Sequence, residues 1–371
     1  MLTFLLLFFA VYGGMQAVIF LKIQPLLPQL RLAKIALGLF LALMVASPVL
    51  THLFDHWGRT GWAKCCGWIG YSWMGFAFLA FWMSLLLFGA EMILWALRRG
   101  GLSHLPSLPD KPAAWALLLV CLGLCLYGHM ETRRLVTERI FLSSPKLDRA
   151  FGLRLVQISD LHLGLLSSPQ RLERIITRIK DLKPDLLVCT GDLVDGNLER
   201  LQQWAPMWKS LSPPLGMYAV TGNHEYYTGL EESLEYLRAS GFQVLMNESL
   251  QLGQGIALIG TEDALHGDCT VEERLLGRTD PNLFRLLLKH RPLLCKEPVD
   301  LQLSGHTHKG QIFPFSLFVG LHYPYISGLH QLSRGRSLYV SRGTGTWGPR
   351  IRLGSRPEIT LIEIASSEKA E

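Results

Sequence analysis

Charged residues are scarce in the first third of this 371-residue sequence, although they make up 18% of the whole. Hydrophobic residues make up 49% and are concentrated before residue 130. A soluble domain needs a polar surface, so this scarcity excludes an ordinary globular fold there and favours helices in a bilayer. We therefore predict a multi-pass transmembrane region at residues 1–130, a link at 131–150 and a soluble domain at 151–371.

Cysteine pairs with metal-binding or redox spacing are also missing. The seven cysteines include no C-x-x-C motif, which excludes a zinc ribbon and a thiol-redox centre. There is no long basic run and the net charge is a modest +6, so we expect no nucleic acid partner. Attraction of basic residues beside the membrane to anionic membrane lipid is the milder interpretation of that charge.

Four apolar stretches are long enough to cross a bilayer as helices, which takes about 20 residues. The first lacks the basic start of a signal peptide, so we interpret it as a retained helix, with a cleaved signal peptide as the alternative. Glu91, inside the third stretch, is interpreted as a residue near the interface rather than a functional intramembrane carboxylate. The stretches cover approximately Met1 to Leu21, Ile35 to Leu53, Gly67 to Leu97 and Ala113 to Tyr127.

The distribution of Lys and Arg predicts the orientation in the membrane. The first and third loops carry more of them than the second, which favours a cytoplasmic position for both and an external position for the soluble domain. Arg133, Arg134 and Arg139, directly after the fourth stretch, favour the opposite orientation. We expect an integral protein of a bacterial cytoplasmic membrane with its soluble domain on the external face.

Strand and helix patterns alternate in the second part of the chain, as in a layered α/β fold. Pro169 to Leu182 has apolar residues at helical spacing, and a second helix is predicted over about Leu230 to Ser240. Leu283 to Lys289 is either a short helix or a strand. Strands are predicted directly before Asp160 and at Asp185 to Cys189, Tyr218 to Thr221, Ile256 to Gly260, Leu301 to Leu303, Leu338 to Ser341 and Ile359 to Ile364.

The first of these strands lies in LRLVQISDLHLG, Leu153 to Gly164, and ends at Asp160 and His162. Side chains two positions apart in an extended chain point to the same side, so this carboxylate and imidazole can converge on one point. That arrangement suits a metal ion. By itself the pair is more often an ordinary polar turn.

Similar polar clusters follow the later strands. They are TGDLVDG with Asp192 and Asp195, TGNHE with Asn223 and His224, KHRP with His290, and SGHTH with His306 and His308. Because side chains at successive strand ends meet at one edge of an open α/β sheet, we expect a single site. Asp, His and Asn together suit ions such as Mn, Fe or Zn, and two ions about 4 Å apart clamp a phosphoryl group.

These five motifs, in this order, resemble those of the calcineurin-like metallophosphoesterases. The C-terminal stretch GLHQLSRGRSLYVSRGTGTWGPRIRLGSRPEITLIEI looks like that of the membrane-anchored YkuE-type branch. The resemblance covers about Leu153 to Ile364. It implies a four-layer αββα sandwich with the dimetal site between its sheets, here preceded by an all-α membrane region of about four transmembrane helices.

The resemblance also implies a role for each matching residue. It implies that Asp192 bridges two divalent or trivalent ions, and that His224 protonates the leaving group while Asp195 orients it. A plain turn residue is the alternative for Asp195, and an ordinary loop histidine for His290. The remaining implied ligands are Asp160, His162 and His308 for one ion and Asn223, His290 and His306 for the other.

The expected function is that of a membrane-bound dimetal phosphoesterase. A hydroxide between the metals would attack a phosphomonoester, phosphodiester or pyrophosphate bond in line. Membrane attachment points to a lipid-linked or envelope substrate; some members of the resembling branch cleave the pyrophosphate of a UDP-linked diacyl sugar, our first candidate among lipids. The alternative is a metal-stabilised binding or scaffold module attached to a membrane sensor or transporter.

Four arginines near the C-terminus leave two interpretations open. They can hold a phosphate by bidentate hydrogen bonds, or they can form a solvated basic face. They are Arg336, Arg342, Arg350 and Arg352.

Overall fold

The computed structural model describes residues 2–147, 152–253, 255–263, 269–332 and 335–366. The chain divides into two compact units. One comprises the chain up to Met130 together with Gly348–Ile351, and the other runs from Glu131 to Trp347 and continues from Arg352.

The first unit contains four helices that are long and apolar enough to cross a membrane, as the sequence predicted. The third has 40 residues and is about 60 Å long, about twice the thickness of a bilayer core. The four are α1 (Leu2–Ile23), α2 (Arg31–His56), α3 (Thr60–Arg99) and α4 (Asp110–Glu131), with a short 3-10 helix after α1 (Gln24–Leu26).

Small residues line the buried side of α3. A Cβ atom on Gly70 would lie 2.2 Å from Ser47 Oγ of α2, so the two backbones approach closely, as small residues allow in membrane helices. Glu91 pairs with Lys22 at 2.6 Å, and the Lys22 ammonium also lies 3.9 Å from the centre of the Phe88 ring. The Glu91 carboxylate is therefore committed to an ion pair between α1 and α3.

The second unit contains two six-stranded sheets. The first sheet has the strand order β1-β12-β2-β3-β4-β5. Neighbouring strands in it are parallel, except for β12 and β2, which are antiparallel. Its strands are β1 (Val136–Ser144), β2 (Leu153–Ile158), β3 (Leu186–Thr190), β4 (Met217–Val220), β5 (Gln243–Val244) and β12 (Glu358–Ser366).

The second sheet has the order β10-β11-β9-β8-β7-β6. Its four inner strands are parallel, and each edge strand pairs with its neighbour in antiparallel fashion; the strands are β6 (Glu248–Leu252), β7 (Ile256–Gly260), β8 (Phe284–Leu288), β9 (Leu301–Ser304), β10 (Gly328–Gln331) and β11 (Ser337–Val340).

Helices connect and cover these strands. Short 3-10 helices occur in the second unit at Gln202–Trp204 and His308–Gly310. The α-helices are α5 (Pro169–Asp181), α6 (Leu198–Leu201), α7 (Ala205–Trp208), α8 (Asn223–Thr228), α9 (Leu230–Ala239), α10 (Cys269–Leu276) and α11 (Phe315–His322).

The alternation of side chains along the strands creates the layers. In β2, Leu155 enters the core between the two sheets, whereas its neighbour Val156 packs under α5 against Leu172. On the second sheet, Leu287 packs outward against Leu275 of α10. The result is the four-layer αββα sandwich that the family resemblance implied.

Helix α5 shows how local signals produce one of these layers. Its predicted apolar stripe, which includes Ile175 and Ile179, is buried against the first sheet. At its start the Ser168 side chain accepts a hydrogen bond from the backbone N–H of Arg171, and Pro169 occupies the first turn, where no intrahelical donor is needed.

The four strands that the sequence analysis did not predict are the four sheet edges, β1, β5, β6 and β10. An edge strand has one neighbour and is only partly buried, so its apolar pattern is weak. Strand β1 lies inside the segment 131–150 that we interpreted as a link, whose residues 148–150 lie outside the described part of the chain. The segment Leu283 to Lys289, left open as helix or strand, forms β8.

Strand β1 makes a measurable contribution to the second unit. It pairs with β12 over its whole length, and Ile140 and Leu142 pack against the core between the sheets. We predict that a fragment comprising residues 152–371 is less stable than one comprising 132–371 by at least about 2 kcal/mol, measured by urea denaturation. Phe141→Ser in the longer fragment is the control, because Phe141 is 71% exposed. Equal stability of the two fragments would contradict this role.

Candidate metal centre

The polar clusters found in the sequence lie at the carboxyl ends of five strands. β2, β3 and β4 are parallel neighbours in the first sheet, and β8 and β9 are parallel neighbours in the second. Each is followed directly by one cluster. Parallel strands that lie side by side present their carboxyl ends at one edge, so the five loops reach one place.

The loops after β2 and β3 continue the parallel pairing beyond the strands. The backbone N–H of Asp160 donates to Gly191 O at 3.0 Å, and that of His162 donates to Asp192 O at 3.0 Å. Asp160, His162 and Asp192 have φ values of 52°, 49° and 53°, and His306 and His308 are also left-handed, at 70° and 48°. Non-glycine residues rarely adopt this conformation, and its cost is concentrated at functional sites.

A first group of possible ligand atoms comprises Asp160, His162 and His308. Nε2 of His308 lies 3.0 Å from Nε2 of His162 and 3.4 Å from Oδ1 of Asp160. Asp160 is held in place because its carboxylate accepts hydrogen bonds from Ser159 Oγ at 2.5 Å and from the backbone N–H of His306 at 3.0 Å.

A second group comprises Asp192, His290 and His306. Nε2 of His290 lies 3.2 Å from Oδ2 of Asp192 and 3.1 Å from Nδ1 of His306. The other ring nitrogen of His290, Nδ1, lies 2.7 Å from the carbonyl oxygen of Thr190. Metal-binding histidines commonly donate their second N–H to a carbonyl in this way, which here turns Nε2 toward Asp192 and His306.

Asn223 lies beside these groups at the start of α8 and is 8% exposed. Its side-chain oxygen is buried and has no hydrogen-bond partner among the described residues. An unpaired buried amide oxygen is costly, and a bound cation would remove the cost. Together with imidazole nitrogens that face each other at about 3 Å, this oxygen makes the cluster suitable for metal ions.

Burial controls the charge state of most of these rings. It lowers the pKa of His162 to about 4 and that of His306 to about 3, so both are neutral at pH 7 and can act as ligands. Burial raises the pKa of Asp160 to about 6. Burial also disfavours protonation of His290, but the negative charge of Asp192 has the larger effect and raises the pKa of His290 to about 10.

His224 contacts the cluster with a different orientation. Its Nδ1 lies 2.7 Å from Oδ1 of Asp195, and its ring meets that of His162 edge-on with centroids 4.6 Å apart. Burial opposes protonation of His224, but the hydrogen bond and charge of Asp195 prevail and raise its pKa. Nε2 is therefore the ring nitrogen that is not engaged by Asp195, on a ring that packs against the possible metal ligand His162.

Glu225 braces two of the loops, a role that the sequence analysis did not assign. Its buried carboxylate accepts hydrogen bonds from four backbone N–H groups, at 2.7–3.2 Å: those of Gly222, Asp192, Leu193 and Val194. Burial raises its pKa to about 7, while these donors favour the charged form. The only sequence signal for this role is its position in TGNHE, at the third residue of a helix, where a capping carboxylate is common.

Two of the four C-terminal arginines, Arg342 and Arg352, are placed neither to hold a phosphate nor to form a solvated basic surface. Arg352 is fully buried, and its guanidinium donates to Gly345 O at 2.7 Å and lies 3.2 Å from His308 Nδ1. Arg342 forms ion pairs with Glu138 and Glu358. Both are structural braces rather than phosphate ligands or a solvated face, because each guanidinium is enclosed by acceptors from its own domain.

Glycine is required where the loops approach each other most closely. A Cβ atom on Gly222 would lie 2.2 Å from Oδ1 of Asp192, and one on Gly305 would lie 2.0 Å from Ser159 Oγ. The glycines that precede Asn223 and His306 thus make room for a neighbouring polar side chain.

Two exposed aromatic rings border His224. The ring of Tyr227 has its centroid 5.3 Å from that of His224, and the ring of Trp347 lies at 5.7 Å. They are 65% and 53% exposed. The opening beside His224 is therefore bounded by apolar surface.

Comparisons with known proteins agree with this geometry. The family described as calcineurin-like phosphoesterase matches residues 153–310. An uncharacterized metallophosphoesterase of Aquifex aeolicus is 37% identical over 260 residues, which cover 67% of this chain and 98% of that protein. The uncharacterized metallophosphoesterase YkuE of Bacillus subtilis is 33% identical over 262 residues, 65% of this chain and 90% of that protein.

The name of a relative from an animal describes both a membrane protein and a metallophosphoesterase domain. The "transmembrane protein with metallophosphoesterase domain" of Danio rerio is 37% identical over 232 residues. The match covers 57% of this chain and 53% of that protein. The chain thus spans about half the length of this relative.

Replacement of Glu225 tests the bracing of the loops. Glu225→Gln offers one acceptor oxygen and turns an NH2 group toward backbone donors, so we predict a loss of about 2 kcal/mol in stability and a 10- to 100-fold loss in metal affinity. Thermal melting and metal titration measure the two effects. Glu235→Gln on the exposed side of α9 is the matched control. Unchanged metal affinity in Glu225→Gln would refute the bracing role.

Proposed function

Because the chain belongs to the calcineurin-like metallophosphoesterase family, we propose that it is a membrane-bound hydrolase of phosphoric ester or anhydride bonds that uses two metal ions. The observation that carries the proposal is the meeting of two ligand groups at the carboxyl ends of strands from both sheets, with Asp192 next to both. Residues 1–130 serve as the membrane region and 151–371 as the catalytic domain, to which β1 also belongs.

The two groups correspond to two ion sites. Asp160, His162 and His308 would hold one ion, Asn223, His290 and His306 would hold the other, and Asp192 would bridge them. The donor set of carboxylate, imidazole and amide oxygen favours Mn, Fe or Zn. Bound there, such ions supply positive charge that offsets the phosphoryl oxygens and promotes ionisation of a water molecule.

His224 and Asp195 are suited to the departure of the leaving group. Asp195 accepts from Nδ1 of His224 at 2.7 Å, which fixes the ring and stabilises its protonated form. Nε2 is then the atom that donates a proton to the leaving oxygen. A positioned acid of this kind contributes about 10²- to 10⁴-fold to the rate.

The substrate is a phosphomonoester, a phosphodiester or a pyrophosphate, and we favour a lipid-linked one in the bacterial cytoplasmic membrane, with the catalytic domain on the external face. The four membrane-capable helices support the membrane location, and the balance of Lys and Arg in their loops supports the orientation.

Two substitutions separate metal binding from proton transfer. We predict that Asp192→Asn loses bound metal and activity together, whereas His224→Ala keeps its metal but loses about 10²- to 10⁴-fold in kcat. The full chain in detergent is assayed with Mn on an aryl phosphodiester and an aryl monoester, beside metal analysis. Asp181→Asn, on the exposed side of α5, is the control.

The same assay discriminates between the enzyme and the scaffold alternative. Metal-dependent turnover that is lost in both variants supports the enzyme. A folded, metal-loaded protein that hydrolyses neither ester nor any membrane-embedded phosphoester would leave the scaffold as the better account.

Removal of metal should also destabilise the α/β domain. The ligands come from five loops that an ion would tie together, so we predict that a chelator lowers the melting temperature by about 10 °C and that Mn restores it. Asp192→Asn should show little change on chelation, because its site is already weakened. A melting temperature of the unaltered protein that ignores both chelator and Mn would contradict the metal assignment.

A further inference from the structure

Helix α11 is apolar on all sides and buries none of its residues. With the residue two positions before it, it exposes five large apolar side chains, each between 44% and 86%: Phe313, Phe315, Leu317, Phe318 and Leu321. A soluble surface rarely concentrates apolar side chains in this way, and such patches generally mark a binding surface.

This helix lies beside the candidate metal centre at both of its ends. The 3-10 helix that begins at His308 leads into it. After it, the ring of Tyr323 packs edge-on against that of His306, with centroids 5.4 Å apart. Thr307 Oγ1 also donates to Ile326 O at 2.7 Å, which closes the segment into a loop. The loop that carries the apolar side chains therefore begins and ends at the site.

The loop is firmly held at its start. A Cβ atom on Gly310, whose φ is 73°, would lie 2.3 Å from the backbone nitrogen of Ser316, so the first turn of α11 packs directly on the preceding turn. Gln311 exchanges two hydrogen bonds with the backbone of Trp347, at 2.9 and 3.0 Å. These bonds tie Trp347, whose exposed ring lies beside His224, to the segment that leads into α11. We call Phe313, α11 and Trp347 the apolar rim.

The segment that carries the apolar rim has no acidic residue of its own. The sequence contains no Asp or Glu between Asp300 and Glu358, a stretch that includes the whole rim. Lys309 lies within this stretch, next to His308. No carboxylate of the segment would repel a phosphate head group whose hydrocarbon part lies on the rim.

The chain itself points to lipid as the occupant. Only residues 132–135 lie between the end of α4 and the start of β1, so the α/β domain is tethered within a few residues of a membrane-capable helix. An exposed apolar helix on a domain tethered in this way meets acyl chains at high local concentration.

We propose that the apolar rim contacts the acyl chains of membrane lipid, and that the substrate is an amphiphilic phosphoester whose hydrocarbon part lies on the rim while its phosphate reaches the candidate metal centre beside His224. The substrate part rests on the proposed function. The lipid contact does not, because it requires no turnover.

Photolabelling tests the lipid contact. The full chain is placed in nanodiscs of phosphatidylethanolamine and phosphatidylglycerol that contain a diazirine on the acyl chain of the latter, and labelled peptides are mapped by mass spectrometry. We expect labels at residues 313–321 as well as in α1–α4, and none in α5. Labels confined to α1–α4 would overturn the proposal. So would an unlabelled α11 whose Phe318→Ser variant loses self-association, since the occupant would then be a second copy of the chain.

A matched pair of substrates tests the substrate part. Aryl phosphodiesters with a long or a short alkyl chain present the same reacting group. We expect Leu317→Ser with Leu321→Ser to lower kcat/KM about tenfold or more on the long-chain ester in nanodiscs and less than about twofold on the short-chain ester. Phe141→Ser, an equally exposed apolar residue outside the rim, should change neither. Equal losses on both esters, or none on either, would overturn this part.

The two proposals fail in distinguishable ways. If the unaltered protein hydrolyses neither ester, the proposed function fails and the amphiphilic substrate fails with it, while photolabelling alone still decides the lipid contact. If the unaltered protein hydrolyses both esters and α11 remains unlabelled, only the rim proposal fails.

Discussion

The carboxylate of Asp192 connects more of the site than any other single group described above. Its Oδ2 lies 3.2 Å from Nε2 of His290 and 3.8 Å from that of His162, and its Oδ1 accepts from the backbone N–H of His224 at 2.9 Å. These partners come from loops after β2, β4 and β8, in both sheets. The short Asp192 side chain can reach all of them only because Gly222 has no side chain that would occupy the space beside it. The packing of the two sheets and the chemistry of the site therefore both depend on this close approach.

Two features of this site cost folding free energy, namely strained backbone conformations and the burial of charged groups. Five of the polar residues adopt left-handed backbone conformations, and several carboxylates and imidazoles are removed from water. Hydrogen bonds around the site offset this cost. The Glu225 carboxylate accepts four of them from backbone N–H groups, and the buried Arg352 guanidinium donates to backbone carbonyls. A half-satisfied network of this kind would be worse than an apolar core, which explains why the bracing residues are as deeply buried as the possible ligands.

The surroundings of the site differ in character from its centre. The centre is polar and enclosed, whereas Tyr227, Trp347 and α11 expose apolar surface around it. In a chain with four membrane-capable helices, this combination is the basis of the proposal that an amphiphile places its head group at the centre and its hydrocarbon at the edge. A soluble phosphoester would gain little from such surroundings, because exposed apolar side chains stabilise only a partner that buries them.

The sequence by itself determined the layered α/β class, the four apolar helices, the inner strands other than β8 and the order of the polar clusters, because these depend on local periodicity and on side-chain type. The edge strands β1, β5, β6 and β10 and the roles of Glu225 and Arg352 were decided only by the tertiary structure. An edge strand becomes a strand when a distant neighbour offers its hydrogen-bonding groups, as β12 does for β1 across more than two hundred residues. A buried charge is likewise tolerated only where acceptors or donors from several loops converge, and no local pattern records that convergence.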